Sequence, residues 1–171
     1  MADVRARIAR WRVPLGYVCG VVSLALALPT PRTLLVGACI GAVGEAIRIW
    51  AAGHLEKGRE VTTSGPYAFT RHPLYLGSSV MGAGVALAAR SAFVAVLVFF
   101  YLLVTITAAV RTEEAHLTMK FGGAYPAYRE GDVPAGRRTF SFERAMRNRE
   151  YRAALGFVAA IALLTLMARL R

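Results

Sequence analysis

The chain has 171 residues, of which 56% are hydrophobic, and its mean hydropathy is +0.46. This composition excludes an ordinary soluble domain of this size and predicts a small all-α integral membrane protein, with one domain over residues 1–171. The formal net charge of +11 lies mostly between apolar segments, so it does not indicate binding to nucleic acid. Cys19 and Cys39 each lie inside an apolar segment and are interpreted as packing residues rather than a disulfide or metal pair.

Apolar segments predict about five transmembrane helices, although several are shorter than the roughly 20 residues that an untilted helix needs. Sixteen of the 21 Lys and Arg residues lie in the N-terminal segment and the two long polar loops, residues 53–73 and 111–152. This bias predicts a multi-pass protein with a cytoplasmic N-terminus and two cytoplasmic loops, in a bacterial inner membrane. The predicted spans are residues 13–28, 33–52, 74–89, 92–110 and 153–167.

The second span carries a face of small residues, Gly37, Gly41 and Gly44. Such a face lets helices approach closely, either within the chain or in a homodimer, so monomer and homodimer both stay open. Glu45 and Arg48 are three residues apart and share one helical face. Because charges inside a span are costly, we expect either an ion pair near the interface or side chains that line a cavity.

The first polar loop ends in a dense motif, GPYAFTRHPLYLG, from Gly65 to Gly77. Pro73 disfavours helical geometry at His72, which should therefore lie on extended or turn backbone just before the third span. A polar cluster on irregular backbone at a membrane boundary predicts a functional site. His72 has no nearby Cys or His at metal-ligand spacing, so we expect it to cap the helix or to bind a ligand rather than a metal.

Two adjacent carboxylates, Glu113 and Glu114, directly follow the predicted fourth span. Negative charge at a helix C-terminus is unfavourable, so a compensating group is expected. Arg111 is one alternative, and a cationic or hydroxyl-rich ligand is the other, because a carboxylate can accept two hydrogen bonds from a ribose diol or an ammonium group. Further along, the basic segment from Ser141 to Arg152 is predicted to lie on the membrane surface.

Three segments together resemble the isoprenylcysteine carboxyl methyltransferase family, within the wider group that includes phospholipid methyltransferases. The first is RIWAAGHL at residues 48–55, and the second is GPY followed by RHPLYLG at residues 65–77. The third starts at the Glu113-Glu114 pair and continues through Phe121-Gly122 to Val133-Pro134. Asp132 departs from the family pattern, in which a basic residue often precedes the Val-Pro pair.

The resemblance implies a membrane methyltransferase that uses S-adenosylmethionine without a Rossmann domain, in a cytoplasmic pocket formed by two loops. It implies a lipophilic acceptor from the bilayer, either a carboxylate of the prenylcysteine type or another lipid-like molecule. Arg48 or Arg111 could orient a carboxylate, whereas Glu114 or His72 could take a proton from an amine or thiol. The positions that match cofactor contacts are Tyr67, His72, Pro73, Leu74, Tyr75, Gly77, Glu113 and Glu114.

Two other classes of protein are considered beside the methyltransferase. One is an NADPH-dependent membrane reductase of the sterol-reductase type, and the other is a non-catalytic membrane protein that binds lipid headgroups. Binding of S-adenosylmethionine, of NADPH or of neither would distinguish the three.

Overall fold

The architecture is all-helical, as predicted. The computed structural model describes the backbone of residues 2–170 and the side chains of residues 14–170. Within these residues there is no β-strand, and one isolated bridge pairs Ser64 with Gly136. A short 3-10 turn spans Gly65–Ala68. The helices are α1 (Ala2–Ala25), α2 (Pro31–His54), α3 (Pro73–Ala89), α4 (Ala92–Phe121), α5 (Ala124–Glu130), α6 (Phe142–Arg147) and α7 (Tyr151–Leu170).

Three of the described helices, α2, α4 and α7, are long and apolar enough to cross a membrane. Two shorter apolar helices, Pro14–Ala25 within α1 and the whole of α3, correspond to the other two predicted spans. The basic side chains predicted to precede the first span lie outside the described residues; they are Arg5, Arg7, Arg10 and Arg12.

Two helices extend beyond the spans predicted for them. α1 begins at Ala2 instead of residue 13, and α4 continues from residue 110 to Phe121. The apolar composition ends near Val110, but most of the residues that follow still favour a helix, and the helix stops at Gly122, whose φ of 54° suits glycine. The region predicted as one polar loop, residues 111–152, therefore contains the end of α4 together with α5 and α6.

The glycine face of α2 packs inside the chain, where it brings α2 and α3 into backbone contact. A Cβ added at Gly77 would lie 2.6 Å from the Gly44 carbonyl oxygen, and a Cβ at Gly84 would lie 2.5 Å from that of Gly37. On another part of the same face, Phe157 of α7 packs against Gly41. Close packing within the chain, one of the two predicted alternatives, is confirmed. Whether the protein is a monomer or a homodimer stays a prediction.

The two long polar regions lie at the same end of the bundle, as predicted. The Tyr128 hydroxyl donates to the Tyr67 carbonyl oxygen at 2.6 Å, and the Gly136 amide donates to the Thr63 carbonyl at 3.2 Å. At the opposite end, the Leu28 amide donates to the Ala89 carbonyl at 2.8 Å and joins the two short turns. The side of the membrane that each end faces stays a prediction.

Candidate functional site

A cavity of about 550 Å³ opens at the polar end of the bundle, and we call it the polar cavity. Its lining comes from residues 55–62 after α2, the motif at residues 67–75, the second half of α4, and Tyr125 and Tyr128 of α5. A cavity of this size falls within the range of ordinary small-molecule sites.

The motif residues reach the polar cavity because Pro73 fixes the position at which α3 begins. Pro73 is the first residue of α3, and His72 precedes it with φ of −131°, outside helical geometry, as predicted. Six of the eight predicted cofactor positions line the polar cavity, namely Tyr67, His72, Pro73, Leu74, Tyr75 and Glu113. Gly77 is not among the lining residues, since it packs against Gly44 and Arg48 of α2.

The adjacent carboxylates of α4 have different partners. Glu113 lines the polar cavity and accepts a hydrogen bond from the Tyr75 hydroxyl at 2.7 Å. Glu114 instead contacts His72 Nε2 at 3.1 Å and accepts from the Tyr125 hydroxyl at 3.2 Å. Glu114 therefore links α4 to the motif and to α5, whereas Glu113 is directed to the cavity. Both lie inside α4, so the prediction that they sit at a helix C-terminus is wrong.

Three tyrosine hydroxyls around the polar cavity remain protonated at neutral pH. Burial, and then the charge of Glu114, raise the pKa of Tyr125 to about 12. Burial likewise raises the pKa of Tyr67 and the pKa of Tyr128. These groups therefore act as hydrogen-bond donors rather than as bases.

The carboxylates that line the polar cavity differ in their charge compensation. Glu56 accepts from Arg144 Nε at 2.8 Å and from Arg147 Nη2 at 3.0 Å, and the hydrogen bond from Arg144 lowers the pKa of Glu56. Glu60 pairs with Arg138 at 2.5 Å. Among the described residues, no cation lies within ion-pair distance of Glu113. It is therefore the lining carboxylate left to bind a cationic or hydroxyl-bearing ligand.

Arg111 does not provide the compensation that was one predicted alternative. Its side chain is exposed, and in the described part of the chain it forms no ion pair with Glu113 or Glu114 and does not line the polar cavity. A contact between Arg111 and an acceptor stays a prediction.

Arg48 is held in a buried cluster beside the polar cavity rather than in its lining. Its Nε atom lies 2.6 Å from Glu150 Oε1, and its Nη1 atom donates to the Leu74 carbonyl at 3.3 Å and to the Ser78 hydroxyl. Glu45 Oε2 lies 3.9 Å from Arg48 Nε, so the predicted ion pair is present. The role of Arg48 toward an acceptor stays a prediction.

A second, apolar cavity of about 600 Å³ lies between α1, α3, α4 and α7, and we call it the apolar cavity. Gly20 and Gly156 are among its lining residues, and a Cβ added to either would meet no atom within 4 Å. Three residues line both cavities: Tyr75, Thr105 and Ala109. The polar and apolar cavities therefore adjoin at these residues.

Part of the lining was missed because α4 was interpreted from its apolar content alone. Thr105, Ala109, Thr112 and His116 recur at helical spacing and all line the polar cavity. This row of small and polar residues in a helix rich in Phe, Leu and Val was the available signal. No group of His, Cys, Asp and Glu suited to a metal ion occurs in the described residues.

Comparisons with known proteins identify relatives of this chain. The chain is 33% identical over 94 residues to the protein-S-isoprenylcysteine O-methyltransferase of Schizosaccharomyces pombe, a match that covers 54% of the chain and 39% of the relative. It is 32% identical over 129 residues to the cobalt-zinc-cadmium resistance protein CzcN of Cupriavidus metallidurans, covering 68% of the chain and 57% of the relative. No solved structure matches the chain.

These matches cover less than two thirds of the length of either relative. Residues 45–124 match the phospholipid methyltransferase family, and this range includes the motif, Glu113 and the junction of the two cavities. Over residues 45–124, the chain resembles the phospholipid methyltransferase family.

Proposed function

We propose that this protein uses S-adenosylmethionine to methylate a carboxylate on a lipophilic acceptor at the membrane surface. The observation that carries the proposal is the junction at Tyr75, Thr105 and Ala109, where a polar cavity adjoins an apolar one. A charged, water-soluble donor and a membrane-derived acceptor need adjacent sites of opposite character. The match of residues 45–124 to the phospholipid methyltransferase family supports methyl transfer, and the similarity to a protein-S-isoprenylcysteine O-methyltransferase supports transfer to an oxygen atom.

The residues of the polar cavity fit the chemical groups of S-adenosylmethionine. Glu113 lacks a cationic partner among the described residues and would accept hydrogen bonds from the ribose hydroxyls or the ammonium group. Lys57, Arg71 and Lys120 line the same cavity and offer positive charge to the carboxylate of the cofactor. Tyr67 adds an aromatic ring and a hydroxyl donor to the lining.

When bound, the cofactor supplies an electrophilic methyl group on a sulfonium ion. The task left to the chain is to position two reactants, and positioning alone can contribute several kcal/mol to catalysis. Glu114 holds His72 on one side of the polar cavity, and the hydrogen bond from Tyr75 to Glu113 fixes another wall at the junction. These contacts join α4 to α3 at the place where the acceptor would meet the donor.

The junction favours an acceptor that needs no base. None of Tyr75, Thr105 and Ala109 carries an imidazole or carboxylate group, and Glu113 is assigned to the cofactor. A carboxylate is already a nucleophile at neutral pH, whereas an ammonium group must first lose a proton. An acceptor amine would need a base, and the two imidazoles that line the polar cavity, His72 and His116, are not among the three residues of the junction.

Binding and product chemistry test this proposal. We expect detergent-purified protein to bind S-adenosylhomocysteine saturably in calorimetry and to gain no thermal stability from NADPH. With a radiolabelled methyl donor and extracted membrane lipids, the product should release labelled methanol in alkali, as a methyl ester does. Alkali-stable label would point to an amine acceptor, and stabilisation by NADPH without S-adenosylhomocysteine binding would favour a reductase.

A bulky side chain at Gly156 should shorten the apolar cavity. Because a Cβ at this position meets no atom within 4 Å, Gly156→Leu should enter the cavity without displacing the backbone. We expect methylation of long-chain acceptors to fall at least tenfold, while short-chain acceptors and cofactor affinity change less than twofold. Ala159→Leu, on an exposed face of the same helix, is the matched control. Equal losses for long and short chains would contradict the assignment of this cavity to the acceptor.

A further inference from the structure

The last turn of α2 is capped by a segment that lies far from it in sequence. We call residues 136–150 the clamp segment and residues 55–64 the wall segment, since most of the latter lines the polar cavity. Asn148 Nδ2 donates at 2.9 Å to the carbonyl oxygens of Ala52 and Leu55. Arg144 Nη1 donates at 2.5 Å to the Gly53 carbonyl, one of the groups that the end of a helix leaves unpaired.

Further contacts from the clamp segment fix the wall segment beyond the helix. Arg138 Nη1 donates to the His54 carbonyl at 3.3 Å, and Arg138 also pairs with Glu60. Arg144 binds the Glu56 carboxylate, and the bridge between Ser64 and Gly136 holds the far end. The wall segment is thus attached at its start, its middle and its end.

The same contacts set the charge of the polar cavity. Glu56 and Glu60 line it, and both are paired with arginines of the clamp segment. Of the lining carboxylates, this leaves Glu113 without a cation within ion-pair distance among the described residues. Loss of the clamp arginines would leave Glu60 unpaired and Glu56 with only the more distant Arg59, at 3.9 Å, so both carboxylates would compete with Glu113 for the positive part of a ligand.

We propose that the clamp segment, which lies outside the family-matched residues 45–124, is a positioning element for the cofactor site. Arg144 is its main positioning residue, because its guanidinium fork binds a helix carbonyl and a wall carboxylate together. The proposal rests on the proposed function for the identity of the ligand. In this role the clamp segment raises the affinity for the cofactor, and it does not change kcat once the cofactor is bound.

Hydrogen exchange of the full-length protein in detergent tests the clamp without a ligand. We expect Arg144→Ala to accelerate exchange of the amides of residues 55–64 at least tenfold, with α3 and α4 unchanged. Arg144→Lys, which keeps the charge but not the fork, should give a smaller acceleration. Arg137→Ala is the matched control, since Arg137 is exposed in the same segment and makes no hydrogen bond or ion pair with the wall segment among the described residues. Unchanged exchange in Arg144→Ala would overturn the proposal.

Ligand binding then separates positioning from structure. We expect the Kd of S-adenosylhomocysteine to rise at least fivefold in Arg144→Ala, while kcat at saturating cofactor stays within twofold of the parent. Asn148→Ala, a milder change at the same helix end, should move both readouts in the same direction and serves if Arg144→Ala does not fold. Faster exchange with an unchanged Kd would overturn the positioning role. Failure of the parent protein to bind S-adenosylhomocysteine would overturn the proposed function, whereas the exchange result would still decide whether the clamp exists.

Discussion

Glu113→Gln should weaken the binding of S-adenosylmethionine by ten- to a hundredfold. Glu113 is the lining carboxylate without a cationic partner among the described residues, and hydrogen bonds to charged groups contribute about 1.5–3 kcal/mol each. Glutamine keeps an oxygen that can accept from the Tyr75 hydroxyl, so the wall of the cavity should stay in place. Calorimetry with S-adenosylmethionine and S-adenosylhomocysteine measures the loss.

The comparison of the two ligands identifies the group that Glu113 binds. A contact with the ribose hydroxyls or the ammonium group predicts equal losses, because both ligands carry these groups. A larger loss for S-adenosylmethionine would instead place the carboxylate near the sulfonium charge. Glu130→Gln is the matched control, since Glu130 is exposed, does not line the polar cavity and forms an ion pair with Arg129. Unchanged affinity in Glu113→Gln would contradict the cofactor site.

Arg48→Met should lower the free energy of unfolding by about 3–5 kcal/mol, the usual cost of breaking a buried ion pair. The change removes the cation nearest to Glu45 and Glu150, which are 7% and 6% exposed. Neither oxygen of Glu45 has a hydrogen-bond partner among the described residues, so Arg48 is the group that compensates it. Denaturant titration in detergent micelles measures the loss.

A second variant in the same cluster gives the opposite expectation. Glu45→Gln should leave stability unchanged or raise it, because it removes a buried charge while Arg48 keeps its closer partner, Glu150. If Arg48→Met instead keeps its full stability but loses methylation, Arg48 acts on the acceptor, which is one of the two alternatives predicted from the sequence. Loss of stability with normal methylation per folded molecule would assign Arg48 to the fold alone.

The predictable part of the fold follows from local patterns. The apolar segments predicted the five apolar helices, and Pro73 predicted the start of α3. Both predictions succeed because hydropathy and the effect of proline depend only on residues close in sequence. The end of α4 could not be predicted from hydropathy. Hydropathy indicates which residues lie in the membrane, and a helix can continue beyond them. Gly122 was the better signal, since a helix commonly stops at a glycine.

The candidate site was predictable where its residues are close in sequence. The motif places Tyr67, His72 and Tyr75 in one cavity, as expected. Contacts between distant segments were not predictable, and Arg144 is the clearest example. The segment around it was interpreted as a basic membrane-surface helix, whereas Arg144 itself binds Glu56 and the end of α2, about 90 residues earlier in the chain. A basic pattern alone does not reveal which acidic or carbonyl group it will meet.

The unbroken length of α4 couples the polar cavity to the thickness of the bilayer. At 1.5 Å per residue its 30 residues extend for about 45 Å, whereas the hydrocarbon core of a bilayer is about 30 Å thick. This single helix thus carries the exposed Phe93, Phe99 and Phe100 in its first part and Glu113 near its other end. A helix of this kind adapts to a thinner membrane by tilting, and a tilt would move Glu113 relative to the motif. Lipid chain length thereby becomes a physical variable of the site, alongside cofactor and acceptor.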